Sequence, residues 1–396
     1  MSTPASPVTA PQRALLLSNF LMWAGFFMVI PLVTVHYVDR LGWAAASIGA
    51  VLAARQLTQQ GLTVLGGALA DRFGPRGLIL AGCLIRALGF AWMGFAGTFP
   101  VLLAASVLAG LGGSLFDAPK NAATTTLTPE PDRPRMFARM GVAGNLGMVT
   151  GPLIGGLLAD VDFRIVAVAA GSVYVLAWAV LAATLPAMRP AANARGGLSA
   201  LAVPLRDRRF LGFTALMSGY FLLSTQLNVA ITLLAVHLGG VRAPSLVYAL
   251  NAGLAVFLQL PLTRLAARHF PPRLVLVGGI TLTALALGSV SFAHTLPALL
   301  ASVTAFSLGT MLVFPTQQTL TADLARPGLY GSYFGVGALS LGVGGAVGNL
   351  IGGTLIDAGA RLHLPALPWI TLMLLGLLSA AGLLLAVKDP EQTQEA

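Results

Sequence analysis

The chain has 396 residues, of which 56% are hydrophobic and only 9% charged, and its mean hydropathy is +0.84. Soluble domains carry about 25% charged residues; so apolar a chain cannot cover itself with polar surface in water, and its solvent is lipid. The single Cys83 excludes an intrachain disulfide and any cysteine-cluster metal site. The net charge of +10 would suit nucleic acid, but the placement of the charges, taken up below, argues against it.

A hydrocarbon core about 30 Å thick needs roughly 20 apolar residues per helix. After a polar, Pro-rich start, the run 14–38 is longer than a signal-peptide core of roughly 7–15 residues and reads as a retained helix. Further spans follow at 45–70, 77–96, 100–126, 137–159, 164–186, 210–238, 245–267, 273–293, 296–324, 329–356 and 367–387. Their connections are short except for RPAANARGGLSALAVPLRDRR, residues 189–209. The chain thus reads as an all-α integral membrane protein of twelve helices: a bundle in 1–188, a cytoplasmic linker, and a bundle in 210–396.

Orientation follows from Lys and Arg. With the N-terminus inside, sixteen of the 23 fall in inner segments and four in outer loops. Both termini are therefore expected in the cytoplasm. The positive charge is a topology signal and an attraction to an anionic inner leaflet. Lipid is the expected partner and nucleic acid is not.

The two halves repeat. TRLAARHFPPRLVL (Thr263 to Leu276) echoes ALADRFGPRGLIL (Ala68 to Leu80), and GAVGNLIGGTLID (Gly345 to Asp357) matches GMVTGPLIGGLLAD (Gly147 to Asp160) at an offset of 197. That register pairs Gly151 with Gly348, Gly155 with Gly352, Gly156 with Gly353 and Asp160 with Asp357. Parallel repeats of six helices mark one transporter architecture in particular.

The turn between the second and third spans, GGALADRFGPRG, concentrates charge among glycines. Gly74-Pro75 breaks the helix, and Arg72 and Arg76 sit where a cytoplasmic interface welcomes cations. Asp71 is odd, because an acid at a helix C-terminus opposes the helix dipole and needs a partner elsewhere. The order Gly67, Leu69, Ala70, Asp71, Arg72, Gly74, Arg76 resembles the loop 2–3 signature of the major facilitator superfamily. The resemblance implies two pseudo-symmetric bundles and makes Gly67, Asp71, Arg72, Gly74 and Arg76 a conformational gate, with Asp71 latching the inner side. The second copy keeps Arg264, Arg268 and Arg273 but has Ala267 for the acid.

In the fifth span Gly147, Gly151 and Gly155 recur every four residues, with Pro152 and Gly156 beside them. Spacing alone reads as a helix-packing stripe. The pattern also resembles the fifth-helix signature of drug:proton antiporters. VLAARQLTQQGLTVLGGALADRFGPR, LGGSLFDAPKNA and GAVGNLIGGTLID together resemble the MdtH-type group of multidrug resistance proteins. The fourth-helix arginine common in that branch would fall at Leu108 or Ala109 and is absent, so its proton-relay role does not carry over.

Charged residues in mid-span cost about 2.5–3.5 kcal/mol each and need a reason. They are Arg55, Arg86, Asp117 and Lys120, all in the first half. The second half offers Gln226, Asn228, Tyr248, Asn251, Gln259, Gln317 and Gln318 instead. At 1.5 Å per residue Arg86 and Asp117 lie at similar depth, about 13 and 15 Å from the inner face, which would allow an ion pair; Lys120 competes as an i,i+3 partner. That pair is either a permanent tie between helices or a proton site. Burial favours the neutral carboxyl and a nearby cation the charged one, so movement of Arg86 or Lys120 could switch Asp117. Asp117, Arg86 and Lys120 are the proton-coupling candidates. His36, His237 and Asp323 lie toward helix ends and read as interfacial. Arg55, Gln59, Trp23, Phe27, Tyr220 and Gln226 are the substrate-cavity candidates; Trp23, Phe27, Tyr220 and Gln226 lie on the first and seventh helices, which flank the central cavity in the resembled fold.

No HExxH, P-loop or G-x-S-x-G pattern occurs, so an enzyme is not expected, nor a cofactor or metal. The expected function is export of amphipathic, drug-like small molecules in exchange for protons, by a monomer in a bacterial cytoplasmic membrane. The alternative keeps the fold and carries a metabolite such as a sugar or amino acid.

Overall fold

The computed structural model describes residues 8–129, 132–188, 202–325 and 330–386; within them the side chains of 64, 67, 68, 71, 72, 133–135, 138, 322, 330–332 and 334 are also outside the described set. Every long element is a helix: α1 (Ala10–Thr34, continued by a π-turn at Val35–Arg40), α2 (Ala45–Phe73), α3 (Pro75–Met93), α4 (Phe99–Thr126), α5 (Arg133–Ala159), α6 (Phe163–Thr184), the short α7 (Ala202–Arg206), α8 (Arg208–Ser224), α9 (Ala230–Gly239), α10 (Ala243–His269), α11 (Pro272–Ser289), α12 (Leu296–Leu324), α13 (Tyr330–Arg361) and α14 (Leu367–Ala386). Eleven spans among the described residues are long and apolar enough to cross a membrane. The twelfth expected span, α2, has 29 residues, ample length. Arg55, Gln56, Gln59 and Gln60 in its middle lower its apolarity.

Local chemistry fixes the ends. Pro75 and Pro272 open α3 and α11, where the missing N–H costs nothing. The carboxylates of Asp162 and Asp207 accept from the N–H of Arg164 (2.8 Å) and Phe210 (3.1 Å), capping α6 and α8. Gly74 has φ 83°, the left-handed turn foreseen between α2 and α3. Inside the helices, hydroxyls such as Thr58, Thr63 and Thr124 donate to the carbonyl four residues back, which satisfies them without water.

Contacts divide the chain into unit 1, residues 1–36 and 54–195, and unit 2, residues 37–53 and 196–396. In unit 1, α5 lies on α1 through the glycine stripe. A Cβ on Gly147 or Gly155 would stand 2.5 Å from the carbonyl oxygen of Phe20 or Met28, and one on Gly151 would overlap that of Ala24. Gly156 is buried too. In unit 2 the repeat partners Gly344 and Gly348 press on Ser218 and Leu222 of α8 in the same way. The register extends to another helix pair. Gly82 and Gly112 face each other's carbonyls in unit 1, and Gly279 and Gly309, again 197 positions on, do so in unit 2. Small residues are thus the packing code of both units, where helices must approach without a hydrophobic drive from lipid.

The seventh span departs from the expected continuous helix. It breaks after Ser224 into a 3-10 turn at Thr225–Leu227, and Val229 leaves helical geometry at φ −121°, ψ −70°. Side chains take up the freed carbonyls. Thr225 Oγ1 and Gln226 Nε2 donate to Leu222 O (3.1 and 2.7 Å), while Thr232 Oγ1 and the Tyr248 hydroxyl donate to Leu227 O (2.6 and 3.2 Å). Broken backbone at membrane depth needs such substitutes. At the N-terminal end of α2, within unit 2, the Asp357 carboxylate accepts from Ala45 N (3.0 Å) and Ala46 N (2.8 Å), an acid well placed at a helix N-terminus.

Candidate functional site: a buried cationic cluster in unit 1

The four mid-span charges meet in unit 1, on α2, α3 and α4, with α1 beside them. Arg55 donates from Nη1 to Gln59 Oε1 (2.8 Å) and from Nη2 to Gln56 Oε1 (3.1 Å). The Gln59 amide then donates to Asp117 Oδ2 (2.8 Å). The i,i+4 spacing of Arg55 and Gln59 on one helix face makes this possible. Arg55 and Asp117 are therefore joined through one neutral amide.

The expected ion pair of Asp117 with Arg86 or Lys120 is not formed. Lys120 Nζ instead donates to Asn19 Oδ1 of α1 (2.8 Å), and Asn19 Nδ2 donates onward to Met140 O of α5 (2.7 Å). Arg86 turns to aromatic faces: its guanidinium carbon lies 5.6 Å from the Phe26 ring centre, 5.9 Å from Phe90 and 5.5 Å from Tyr174. Arg55 lies over the same Phe26 ring at 4.8 Å. Equal depth on neighbouring helices does not decide direction around the helix axis, and here that direction separates the charges. Arg55 and Arg86 are buried, whereas Phe26, Gln56, Gln59, Asp117 and Lys120 are half-buried, so the cluster has an accessible side.

The other cavity candidates separate. Trp23 stacks on Phe27 at 5.6 Å between ring centres, and Phe27 meets Phe26 edge-on at 5.0 Å; these rings adjoin the cluster. Tyr220 and Gln226 belong to unit 2, and both are buried. Gln226 donates to Leu222 O and Gly348 O (2.7 and 3.0 Å), so its amide holds the break in the seventh span against α13. The mid-span polar groups of unit 2 are mainly amides and hydroxyls. Asn251 Oδ1 accepts from Ser307 Oγ (2.8 Å), and a cavity of 250 Å³ is lined by Phe221, Phe314, Gln317, Gln318 and Thr321, among others. His237 Nε2 stands 3.6 Å from Asp39 Oδ1, and Asp323 is exposed.

Of the gate residues, the side chains of Gly67, Asp71 and Arg72 lie outside the described residues. Arg76 Nη2 donates to Ala182 O (3.0 Å) at the C-terminal end of α6, where a cation suits the helix dipole. Its repeat partner Arg273 donates in the same way to Leu384 O of α14. Each arginine ties the turn to its own unit.

Sequence reasoning missed Asn19, the acceptor for Lys120, and Tyr174, a face for Arg86. A lone Asn in an apolar span was the available signal for the first, since such a group needs a partner.

A family model described as Major Facilitator Superfamily matches residues 15–240 and 210–396. Two relatives, both named multidrug resistance protein MdtH, are 38% identical. The one from Proteus mirabilis (strain HI4320) aligns over 95% of this chain and 94% of its own, and the one from Photorhabdus laumondii over 93% and 92%. Among solved structures, the nucleoside transporter NupG superposes with TM-score 0.81 at 13% identity, covering 96% of this chain and 99% of its own. A bacterial homologue of the human lysosomal transporter Spinster gives 0.80 at 15%, covering 97% and 98%. These two structures show the fold, and the family model and MdtH relatives the lineage: the chain belongs to the Major Facilitator Superfamily.

Proposed function

We propose that the chain exports amphipathic, drug-like small molecules across a bacterial cytoplasmic membrane in exchange for protons, as a monomer and not as an enzyme. The observation that carries this reading is Asp117. It is the one acid deep in any span, and a neutral amide, not a cation, is its hydrogen-bond partner. The names of the relatives support the cargo, and the inner bias of Lys and Arg supports cytoplasmic termini. Alternating access between the bundles of 1–188 and 210–396 supplies the cycle. Asp71 serves as inner latch beside a turn that Gly74 and Arg76 hold in shape.

The test is efflux of a panel of amphipathic fluorescent dyes from reconstituted vesicles with an imposed pH gradient. Uphill movement of at least one dye that stops on adding a protonophore is expected. Dye movement indifferent to the gradient would turn the reading to a facilitator, and a metabolite carried in place of every dye would change the cargo.

A further inference from the structure

The mid-span charges of unit 1 do not balance. Arg55, Arg86 and Lys120 bring three positive charges against the one carboxylate of Asp117. Arg55 is 3% and Arg86 5% exposed. The side-chain hydrogen bonds of Arg55 and Lys120 run to the neutral amides of Gln56, Gln59 and Asn19. Arg86 makes none among the described residues, and the Nε of both arginines lacks an acceptor. What surrounds Arg86 is π surface. A cation–π contact supplies about 0.5–2 kcal/mol, whereas an uncompensated buried ion costs several. The protein leaves this positive charge unneutralised, on a cluster with an accessible side.

We propose that Arg86, assisted by Arg55 and Lys120, receives an anionic group of the exported molecule, a carboxylate or a sulfonate. Guanidinium is suited to this task by its planar fork of donors. The inference rests on the exchange reading above, and that reading narrows the class. An anion alone would sit beside Asp117 as a like charge, and like charges sharing a site retain a proton between them. Exchange requires the reverse. The exported molecule must therefore also present an ammonium or another donor to Asp117 in place of the proton. The class that fits is amphoteric: an apolar body for Trp23, Phe26 and Phe27, a cationic end for Asp117, and an anionic end for Arg86.

Three fluorescent probes test this: side-chain dansylated lysine with free amino and carboxyl groups, its methyl ester, and dansyl-aminohexanoate. Binding is measured to the purified full chain in phosphatidylcholine nanodiscs, and efflux in vesicles. The amphoteric probe should bind at least about ten-fold more tightly than either analogue, the worth of one charge-assisted hydrogen bond. Arg86→Gln should erase its advantage over the ester. Equal binding of acid and ester by the wild type overturns the assignment without recourse to any variant, and so does a preference that survives Arg86→Gln. Displacement of the probe by phosphatidylglycerol would also overturn it, by making a lipid headgroup the ligand. Selective binding without export supports the anion site and ends the exporter reading; export of ester and acid at one rate does the opposite.

Discussion

Asp117→Asn is expected to abolish uphill efflux while leaving downhill dye movement in place. An amide neither takes up nor releases a proton at these pH values, but it keeps the shape of the carboxyl and can still meet Gln59. The size of the loss follows from the driving force. Each pH unit is worth about 1.4 kcal/mol per proton, so one proton per cycle across two pH units sustains about hundred-fold accumulation. The variant should fall to the level of protein-free vesicles. Gln59→Leu should act on the same function less completely, since it removes the amide between Arg55 and Asp117 but leaves the carboxyl. Accumulation by Asp117→Asn equal to that of the wild type would remove this residue from coupling.

The second large effect is structural. Gly151→Leu is expected to unfold unit 1 or lower its melting temperature sharply in detergent. A Cβ at this position overlaps the Ala24 carbonyl, and Gly147 and Gly155, one turn to either side, leave no direction in which α1 and α5 can part locally. Overpacking costs about 1–3 kcal/mol in cores that relax, and a backbone oxygen relaxes less than a side chain. Gly141 is the control. It sits on the same helix, exposed, with no atom within 4 Å of its Cβ position, so Gly141→Leu should not lower stability, a helix-interior glycine being itself unfavourable. Equal melting of the two variants would show that the stripe is not the contact that holds α5 to α1.

The helices were legible because lipid imposes a length and an apolarity that few other contexts require. The repeat was legible because glycine at a close crossing cannot be exchanged, so Gly147 and Gly344 keep their register. The break in the seventh span was not. Thr225, Gln226 and Asn228 look like ordinary polar interruptions, and part of what stabilises the break comes from Tyr248 and Gly348, distant in sequence. The charged cluster was half legible. The identities of Arg55, Arg86, Asp117 and Lys120 follow from their cost in lipid, but their partners depend on rotation about each helix axis. Depth put Arg86 opposite Asp117; rotation gave Asp117 to Gln59, Lys120 to Asn19 and Arg86 to three aromatic rings.

The most direct measurement is proton release on adding an exported dye to purified transporter in weakly buffered detergent, followed with a pH-sensitive fluorophore. Release by the wild type and none by Asp117→Asn is the result expected if the cargo takes the proton's place. Equal release from both proteins, or none from the wild type, would contradict it.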